Sequence, residues 1–294
     1  MPRWLFLSIL TVLFWGVWGF IPRKLGAMPS EQSQVISTLG LLPVIAALAL
    51  GRSCVPGTRV ARGCWLGFAA GIVGGFGTLF FYRMMSAGES AATVVPLTSL
   101  YPLVTIVLAV VFLKEKFQAV QCAGIVLALV SIYFFNVGRE APFSASWLAF
   151  ALLPIGLWGV SALLQKLSTN EISAELSTLC FLVALVPVAL VLLALQPMTW
   201  KLAPSAWGWA LALGLFFGLG NLTLLAAFAA GGKAAIVSPL TSLYSIVTIP
   251  LAVGVLGEQV HPREWLAIAL ALAAVLAFAW ERTDVVAAAA ESGK

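Results

Sequence analysis

Two copies of the hexapeptide PLTSLY, at residues 96–101 and 239–244, supply hydroxyl groups and aromatic rings that could hold a small solute. In each copy, the threonine, the tyrosine and a second threonine four residues after that tyrosine are spaced at i, i+3 and i+7. This spacing places all three side chains within about 60° of one another on a helix. Such a stripe could hydrogen-bond a polar solute and offer ring faces to its apolar or cationic part. Alternatively, the threonines bond to the preceding helical turn and the tyrosines pack between helices. The residues concerned are Thr98, Tyr101, Thr105, Thr241, Tyr244 and Thr248.

Three tryptophans, Trp15, Trp18 and Trp158, do not belong to the aromatic belt that is expected at the predicted helix ends. Trp15 and Trp158 follow other tryptophans, Trp4 and Trp147, by eleven residues, a distance of about half the hydrocarbon thickness. Glycines flank these mid-depth indoles, which could therefore line a solute site or fill a close helix crossing.

Charge inside a membrane would indicate function directly, because it is costly there. Arg83, next to Tyr82, is the clearest candidate. It could extend to the interface, or it could face an outer vestibule and attract a carboxylate. All eleven acidic residues fall in predicted loops or helix ends, so we expect no buried carboxylate that carries protons.

The scarcity of titratable residues at membrane depth also argues against an enzyme. The single histidine, His261, lies in a short loop and the single aspartate, Asp284, lies near the C-terminus. An acid, a base and a nucleophile cannot be assembled at membrane depth from these residues. The four cysteines form no CxxC pair, so we expect no catalytic residues, no metal site and no cofactor.

The elements that position these residues must lie in lipid. Of 294 residues, 62% are hydrophobic and 9% are charged, against roughly 45–50% and 25% in soluble domains. This composition excludes a water-soluble globular protein. The sixteen basic residues are dispersed between apolar runs, which favours topology signals over a nucleic-acid-binding patch.

Ten continuous apolar runs are each long enough to cross a bilayer as a helix. They predict an all-α polytopic membrane protein with transmembrane helices at 4–22, 33–50, 64–86, 91–113, 118–136, 145–166, 173–195, 206–229, 234–256 and 263–281.

An internal repeat divides these helices into two groups of five. When the chain is shifted by 143 residues, fourteen of the twenty positions in 96–115 are identical to those in 239–258. A shift of 140 places Gly16-x-Trp18-Gly19 over Gly156-x-Trp158-Gly159. We therefore predict a first repeat at 1–138, a second repeat at 139–282 and a disordered tail at 283–294. Because five is odd, the second repeat enters the membrane from the opposite side, so the repeats are inverted.

The positive charges indicate the orientation. With the N-terminus inside, ten basic residues fall in inner loops and six in outer loops, which favours two cytoplasmic termini. The inner set is Arg3, Arg52, Arg59, Arg62, Lys114, Lys116, Lys166, Lys233, Arg282 and Lys294, and the outer set is Arg23, Lys24, Arg83, Arg139, Lys201 and Arg263. Glu115 and Glu258 occupy equivalent helix ends, and we expect each to accept hydrogen bonds from the first amides of the helix that follows it.

The ten helices, the WGxWG segment at residues 15–19, its shorter copy at 156–159 and the PLTSLY segments ending in LxE resemble the drug/metabolite transporter superfamily, EamA-type branch. The resemblance covers nearly the whole chain. It implies a central cavity between the repeats, alternating access, and export of amino acids or related small metabolites across the inner membrane.

Related branches imply the alternatives: an ion-coupled exporter of drugs or cations, or a carrier of sugars or sugar phosphates. A structural or channel-like protein also stays open. The expected partners are a small-molecule solute and the lipid bilayer, without nucleic acid, and a monomer is compatible with the sequence.

Overall fold

The chain is described by a computed structural model over residues 1–26, 28–51, 54–55, 57–113, 119–136 and 145–279, and every regular element in those ranges is an α-helix. The predicted inner loop at 114–116, with Glu115, and the predicted tail at 283–294 lie outside these ranges. The fourteen helices are α1 (Arg3–Lys24), α2 (Ser30–Gly40), α3 (Leu42–Leu50), α4 (Val60–Ser86), α5 (Ala91–Thr98), α6 (Pro102–Leu113), α7 (Ala119–Asn136), α8 (Ala145–Thr169), α9 (Ala174–Val183), α10 (Leu185–Leu195), α11 (Pro204–Ala229), α12 (Ala234–Ser242), α13 (Ser245–Leu256) and α14 (Pro262–Ala279).

The fourteen helices form ten segments, as the hydropathy pattern predicts. Four segments are each broken into two helices: α2–α3, α5–α6, α9–α10 and α12–α13. The breaks at Leu41 and Ala184 are 143 residues apart, the same shift that relates the two PLTSLY copies. Within the described residues, eight segments are long and apolar enough to cross a membrane, and Cys122–Phe135 is a shorter apolar helix. The all-helical membrane fold with two five-segment repeats is therefore confirmed.

The breaks in α5–α6 and α12–α13 fall on the PLTSLY segments. The chain tightens there into hydrogen bonds of 3₁₀ type, with the amide of Tyr101 donating to Thr98 O and that of Tyr244 to Thr241 O, both at 3.2 Å. Short 3₁₀ stretches inside helices often mark hinges. A proline, Pro102, begins α6, but Ser245 begins α13, so a proline directly after the break is not required for it. Both tyrosines are thereby placed at interruptions in the middle of the bundle.

The repeats pack against each other with approximate two-fold symmetry. Helix α1 packs along α11 of the other repeat, and its equivalent α8 packs along α4 in the same way. Helix α1 also crosses α13, as α8 crosses α6, and the last helices of the two repeats, α7 and α14, pair with each other. The middle of the bundle is consequently built from α1, α8 and the two broken segments that they cross.

The contacts of two glycines correct the predicted sequence alignment of α1 with its equivalent α8. An added Cβ on Gly16 would overlap Val247 and lie 3.1 Å from Tyr244 O, and one on Gly159 would overlap Val104 and lie 3.0 Å from Tyr101 O. Val104 and Val247 are 143 residues apart, and so are Tyr101 and Tyr244. Gly16 is therefore equivalent to Gly159, at a shift of 143 rather than 140.

This register changes which aromatic residues are counterparts. Trp158 is equivalent to Trp15, and both indoles lie over the glycine of a facing helix, Gly77 for Trp158 and Gly220 for Trp15. The position equivalent to Trp18 holds Ser161. The match at a shift of 140 arose because the pair Trp-Gly occurs twice in residues 15–19. Trp158-Gly159 can therefore be aligned with either pair.

Candidate functional site

A central cavity lies where α1, α8 and α11 meet the two broken segments. Its volume is about 40 Å³, room for a few water molecules and far below the roughly 300–1,000 Å³ of small-molecule sites. A solute would therefore have to widen it. The wall consists of Trp15, Trp18, Gly74, Tyr101, Trp158, Ser161, Ala162, Gln165, Phe181, Phe217, Asn221, Leu224 and Tyr244.

Five of the residues singled out from the sequence lie in this wall: Trp15, Trp18, Tyr101, Trp158 and Tyr244. They come from four helical segments, and their rings contact one another. The Trp18 ring centroid lies 5.9 Å from that of Trp158 and 6.3 Å from that of Tyr244, while Tyr101 and Trp158 meet edge to face at 6.3 Å. The structure thus brings both mid-depth tryptophans of α1 together with both PLTSLY tyrosines.

The four threonines of the predicted stripe lie outside the cavity wall. Thr98 and Thr241 each donate to the backbone carbonyl four residues earlier at 2.8 Å, as the alternative interpretation of the stripe has it. Thr105 donates to Gly159 O at 3.2 Å, and Thr248 donates to Gly16 O at 2.8 Å. Their hydroxyls are bound to the backbone, so only the tyrosines of the stripe face the cavity.

Tyr82 and Arg83 also lie outside the wall. The Tyr82 hydroxyl accepts a hydrogen bond from the Trp18 indole at 3.1 Å, so it supports a wall residue from behind. Arg83 donates to Glu31 at 2.7 Å, and about half of its side chain is exposed. The carboxylate that Arg83 binds in this structure therefore belongs to the protein, which differs from the expected vestibule role.

Trp18 is the centre of an aromatic cluster at the end of the cavity. It is almost fully buried, stacks on Phe81 with ring centroids 4.8 Å apart, and lies 5.5 Å from the Phe217 ring. Because Trp18 fills the space between α1, α4 and α11, it limits the cavity on the side toward the C-terminal end of α1.

Sequence reasoning missed the polar end of the cavity. Gln165 and Asn221 lie in the wall on α8 and α11, and the Gln165 amide donates to Asn221 Oδ1 at 3.1 Å. Both are nearly fully buried. A search for charged residues passes over them, but an amide inside a long apolar run is itself unusual and was the available signal. Ser161, whose hydroxyl donates to Ala70 O at 2.9 Å, was missed for the same reason.

The two ends of the cavity point toward different faces of the bundle. Leu224, at the Gln165–Asn221 end, belongs to a cluster with Phe228 that packs against Trp4 and Leu7. That end therefore approaches the face that holds the beginning of α1, here called the N-terminal face. The Trp18 end approaches the opposite face.

The opposite face is closed by a group of contacts around Glu258, here called the Glu258 clamp. Its carboxylate accepts from Arg23 Nε at 3.1 Å and from the Ser90 hydroxyl at 2.7 Å. It also accepts from the first amides of α5, Ala91 N at 3.1 Å and Ala92 N at 2.9 Å. The carboxylate thus satisfies a helix N-terminus and an arginine at once.

This arrangement corrects the expected role of Glu258. The helix that it caps is α5 of the first repeat and not α14, the next helix along the chain. The start of α14 is served by its own Glu264, which accepts from the His261 amide at 2.8 Å. Gly257, left-handed with φ +67°, and the bond from Glu258 N to Ala252 O end α13 so that the chain turns toward α5.

Comparisons with known proteins agree with this architecture. Residues 2–137 and 145–280 each match the EamA-like transporter family. An uncharacterized protein of Methanocaldococcus jannaschii is 27% identical over 135 residues, which cover 45% of this chain and 96% of that protein. A solved crystal structure has a similar fold, with a TM-score of 0.64, 19% identity, and coverage of 93% of this chain and 95% of that one. Two matches that together span nearly the whole chain establish that it belongs to the EamA-like transporter family, a family of multi-pass membrane proteins that move small solutes.

Proposed function

We propose that the protein is a carrier that exports small organic solutes through the central cavity by alternating access. The observation that carries this proposal is the cavity itself, a small aromatic chamber at the crossing of two pseudo-symmetric repeats, with one end toward the N-terminal face and the other limited by Trp18. Sites at repeat interfaces near the middle of the membrane are typical of carriers with inverted repeats. The resemblance to EamA-type carriers makes amino acids and related metabolites the first solutes to screen.

The outward direction is supported by the asymmetry of the two faces. The polar end of the cavity approaches the N-terminal face, while the Glu258 clamp holds the opposite face. The distribution of basic residues predicts that the N-terminal face is cytoplasmic. A solute would therefore enter from the cytoplasm once the cavity widens on that side, and release would require the Glu258 clamp to open.

Flux through proteoliposomes tests the carrier proposal. We expect saturable, counterflow-stimulated movement of at least one solute from a metabolite panel that includes amino acids. Ala162→Phe places a ring in the cavity wall and should abolish flux, whereas Val160→Phe on the exposed side of the same helix should leave it intact. Flux that rises linearly with solute concentration would indicate a channel, and equal flux in the two variants would remove the cavity from the pathway.

Membrane orientation needs a separate experiment. We propose that the protein lies in the inner membrane with both termini in the cytoplasm, the loop at 114–116 inside and the loop at 259–263 outside. In a variant without the four native cysteines, single cysteines at Lys116 and Gln259 should react with impermeant reagents from opposite sides. Labelling of both positions from one side would contradict the inverted topology.

A further inference from the structure

Two buried amides give the cavity a polar end that the other repeat does not duplicate. Gln165 and Asn221 are 3% and 1% exposed, and both lie in the cavity wall. A shift of 143 residues places Pro22 over Gln165 and Thr78 over Asn221. Neither Pro22 nor Thr78 carries a side-chain amide, and neither lines the cavity. The amide pair therefore belongs to one end of the cavity and has no symmetry-related copy.

The Asn221 side chain fixes the orientation of the Gln165 amide. Asn221 Nδ2 donates to Phe217 O at 2.9 Å, one turn earlier on α11. The equivalent Thr78 makes the same kind of bond, to Gly74 O at 3.0 Å, with its only hydroxyl hydrogen. Asparagine has a carbonyl oxygen in addition, and this atom, Oδ1, accepts from Gln165 Nε2 at 3.1 Å. Because the nitrogen of Gln165 is turned toward Asn221, its carbonyl oxygen is left for another partner.

The Gln165 carbonyl oxygen is available to a solute. In the described part of the chain, Gln165 Oε1 accepts no hydrogen bond, and it does not belong to the unpaired polar atoms that are completely enclosed there. It therefore keeps accessible surface. Since the residue is otherwise packed inside the bundle and lines the cavity, that surface faces the cavity. An amide oxygen only accepts hydrogen bonds, so the group that it selects in a solute is a donor.

The surroundings of Gln165 favour a positively charged donor. Hydrogen bonds to a charged group are roughly twice as strong as those between neutral groups. Aromatic faces also stabilise a cation, and three tryptophan indoles lie in the same wall. No wall residue in the described ranges is basic. Lys166 follows Gln165 in the sequence, but it lies outside the wall and its ammonium group donates to Phe228 O at 3.3 Å. An ammonium group, which every free α-amino acid carries at neutral pH, therefore matches this end of the cavity.

We propose that Gln165 binds the ammonium group of the solute through Oε1, and that Asn221 is a positioning residue that holds the Gln165 amide in the required orientation. This inference rests on the proposed function, since it assigns the part of an amino acid that the central cavity recognises. The ammonium group lies at the end of the cavity that approaches the N-terminal face. The side chain of the solute extends toward the aromatic cluster around Trp18, so the solute is an amino acid with an apolar side chain.

Calorimetric titration of the full chain in nanodiscs with three probes of one carbon skeleton tests this assignment. L-leucine carries an ammonium group and a carboxylate, isocaproate carries the carboxylate alone, and isoamylammonium carries the ammonium group alone. Gln165→Met keeps the length of the side chain and removes the acceptor. It should weaken the binding of L-leucine and of isoamylammonium about 10- to 100-fold, the range for a hydrogen bond to a charged group. Isocaproate affinity should stay within about twofold, because this probe has no ammonium group.

A second variant tests the positioning role of Asn221. Asn221→Thr introduces the residue type of the other repeat, which can keep the bond to Phe217 O but lacks Oδ1. It should weaken L-leucine binding about 2- to 10-fold, because the Gln165 amide is no longer held. Isocaproate affinity should again stay unchanged, which a general loosening of the bundle would not achieve.

The matched control is a glutamine outside the cavity wall. Gln32 is 3% exposed, and both of its amide atoms bind the backbone of Thr199, Nε2 to the carbonyl at 2.6 Å and Oε1 to the amide at 3.5 Å. Gln32→Met should therefore lower the melting temperature and leave L-leucine affinity within about twofold.

Three results would overturn the inference. If Gln165→Met weakened isocaproate binding as much as L-leucine binding, the residue would not recognise the ammonium group. Equal losses of L-leucine affinity in the Gln165 and Gln32 variants would assign Gln165 to folding alone. Absence of saturable binding by both ammonium probes would remove the site. Failure of the carrier proposal is distinguished by flux: saturable flux of a panel solute without L-leucine binding ends this inference alone, while Gln165-dependent L-leucine binding without saturable flux ends the carrier proposal alone.

Discussion

Helices α1 and α8 occupy equivalent positions, cross the other repeat through the same backbone contacts, and present different side chains to the cavity. Gly16 and Gly159 make the same close approach, and both accept from the threonine of the segment they cross. Two residues after each glycine, however, α1 carries Trp18 where α8 carries Ser161. The comparison shows that the symmetry resides in positions that touch backbone, while the asymmetry of the cavity comes from a few wall positions.

The difference between Trp18 and Ser161 should produce the largest effect. Trp18→Ala removes a buried ring from the centre of the aromatic cluster and should lower the free energy of unfolding by about 3–5 kcal/mol. Ser161→Ala removes one hydrogen bond between helices and should cost about 0.6 kcal/mol. Unfolding titrations in mixed micelles measure both. Equal losses would mean that the two positions are energetically equivalent.

The Glu258 clamp, which holds Arg23 at the end of α1, should give the next largest change in stability. Glu258→Gln keeps the size of the side chain but removes the charge that four donors share, and should lower the free energy of unfolding by about 1.5–3 kcal/mol. Glu31→Gln is the matched control, because its partner Arg83 is about half exposed and the pair should contribute about 0–1 kcal/mol. Thermal melting in detergent compares them, and a Glu258 variant as stable as the Glu31 variant would show that the clamp does not hold this face.

Glycine substitutions test the sequence shift of 143 that relates α1 to α8. Gly16→Ala and Gly159→Ala should each cost about 1–3 kcal/mol, because the new Cβ overlaps a valine of the crossed segment. Nothing lies within 4 Å of an added Cβ on Gly156, so Gly156→Ala should change the free energy by less than about 0.5 kcal/mol. Equal destabilisation by the Gly16 and Gly156 variants would favour the shift of 140.

The smallest change in stability is expected for the two threonines whose hydrogen bonds join the repeats. Thr105→Val and Thr248→Val each remove one hydrogen bond to a glycine carbonyl and should each cost about 0.6 kcal/mol. Solute affinity should not change, because neither hydroxyl faces the cavity. A loss of affinity without a loss of stability in either variant would return the threonines to the solute site.

The sequence predicts the framework well because local rules decide it. Hydropathy locates all ten segments, since each crossing needs about 20 apolar residues, and the repeat predicts which segments correspond. The PLTSLY tyrosines and the α1 tryptophans are also placed in the cavity, because helical spacing and depth can be read along a single segment.

Contacts between segments could not be predicted in the same way. The partner of Glu258 depends on how α13 turns toward α5, and no local pattern distinguishes the start of α5 from the start of α14. The threonines of the stripe share a helix face with the tyrosines, yet α8 covers Thr105 and α1 covers Thr248, so that only the rings face the cavity. Gln165 and Asn221 meet across two helices that are adjacent in space and distant in the chain.

The Glu258 clamp also has a consequence for how the protein is made. The Ala92 amide and the carboxylate that receives it are 166 residues apart, so α5 leaves the ribosome long before its cap exists. At roughly 5–20 residues per second, the interval is about 8–33 s. The beginning of α5 must wait through that time with its amides bound to water or lipid headgroups. Insertion of the ninth segment is therefore the event that completes the first repeat, and in a nascent chain arrested before residue 258 the first amides of α5 would still lack the carboxylate that caps them.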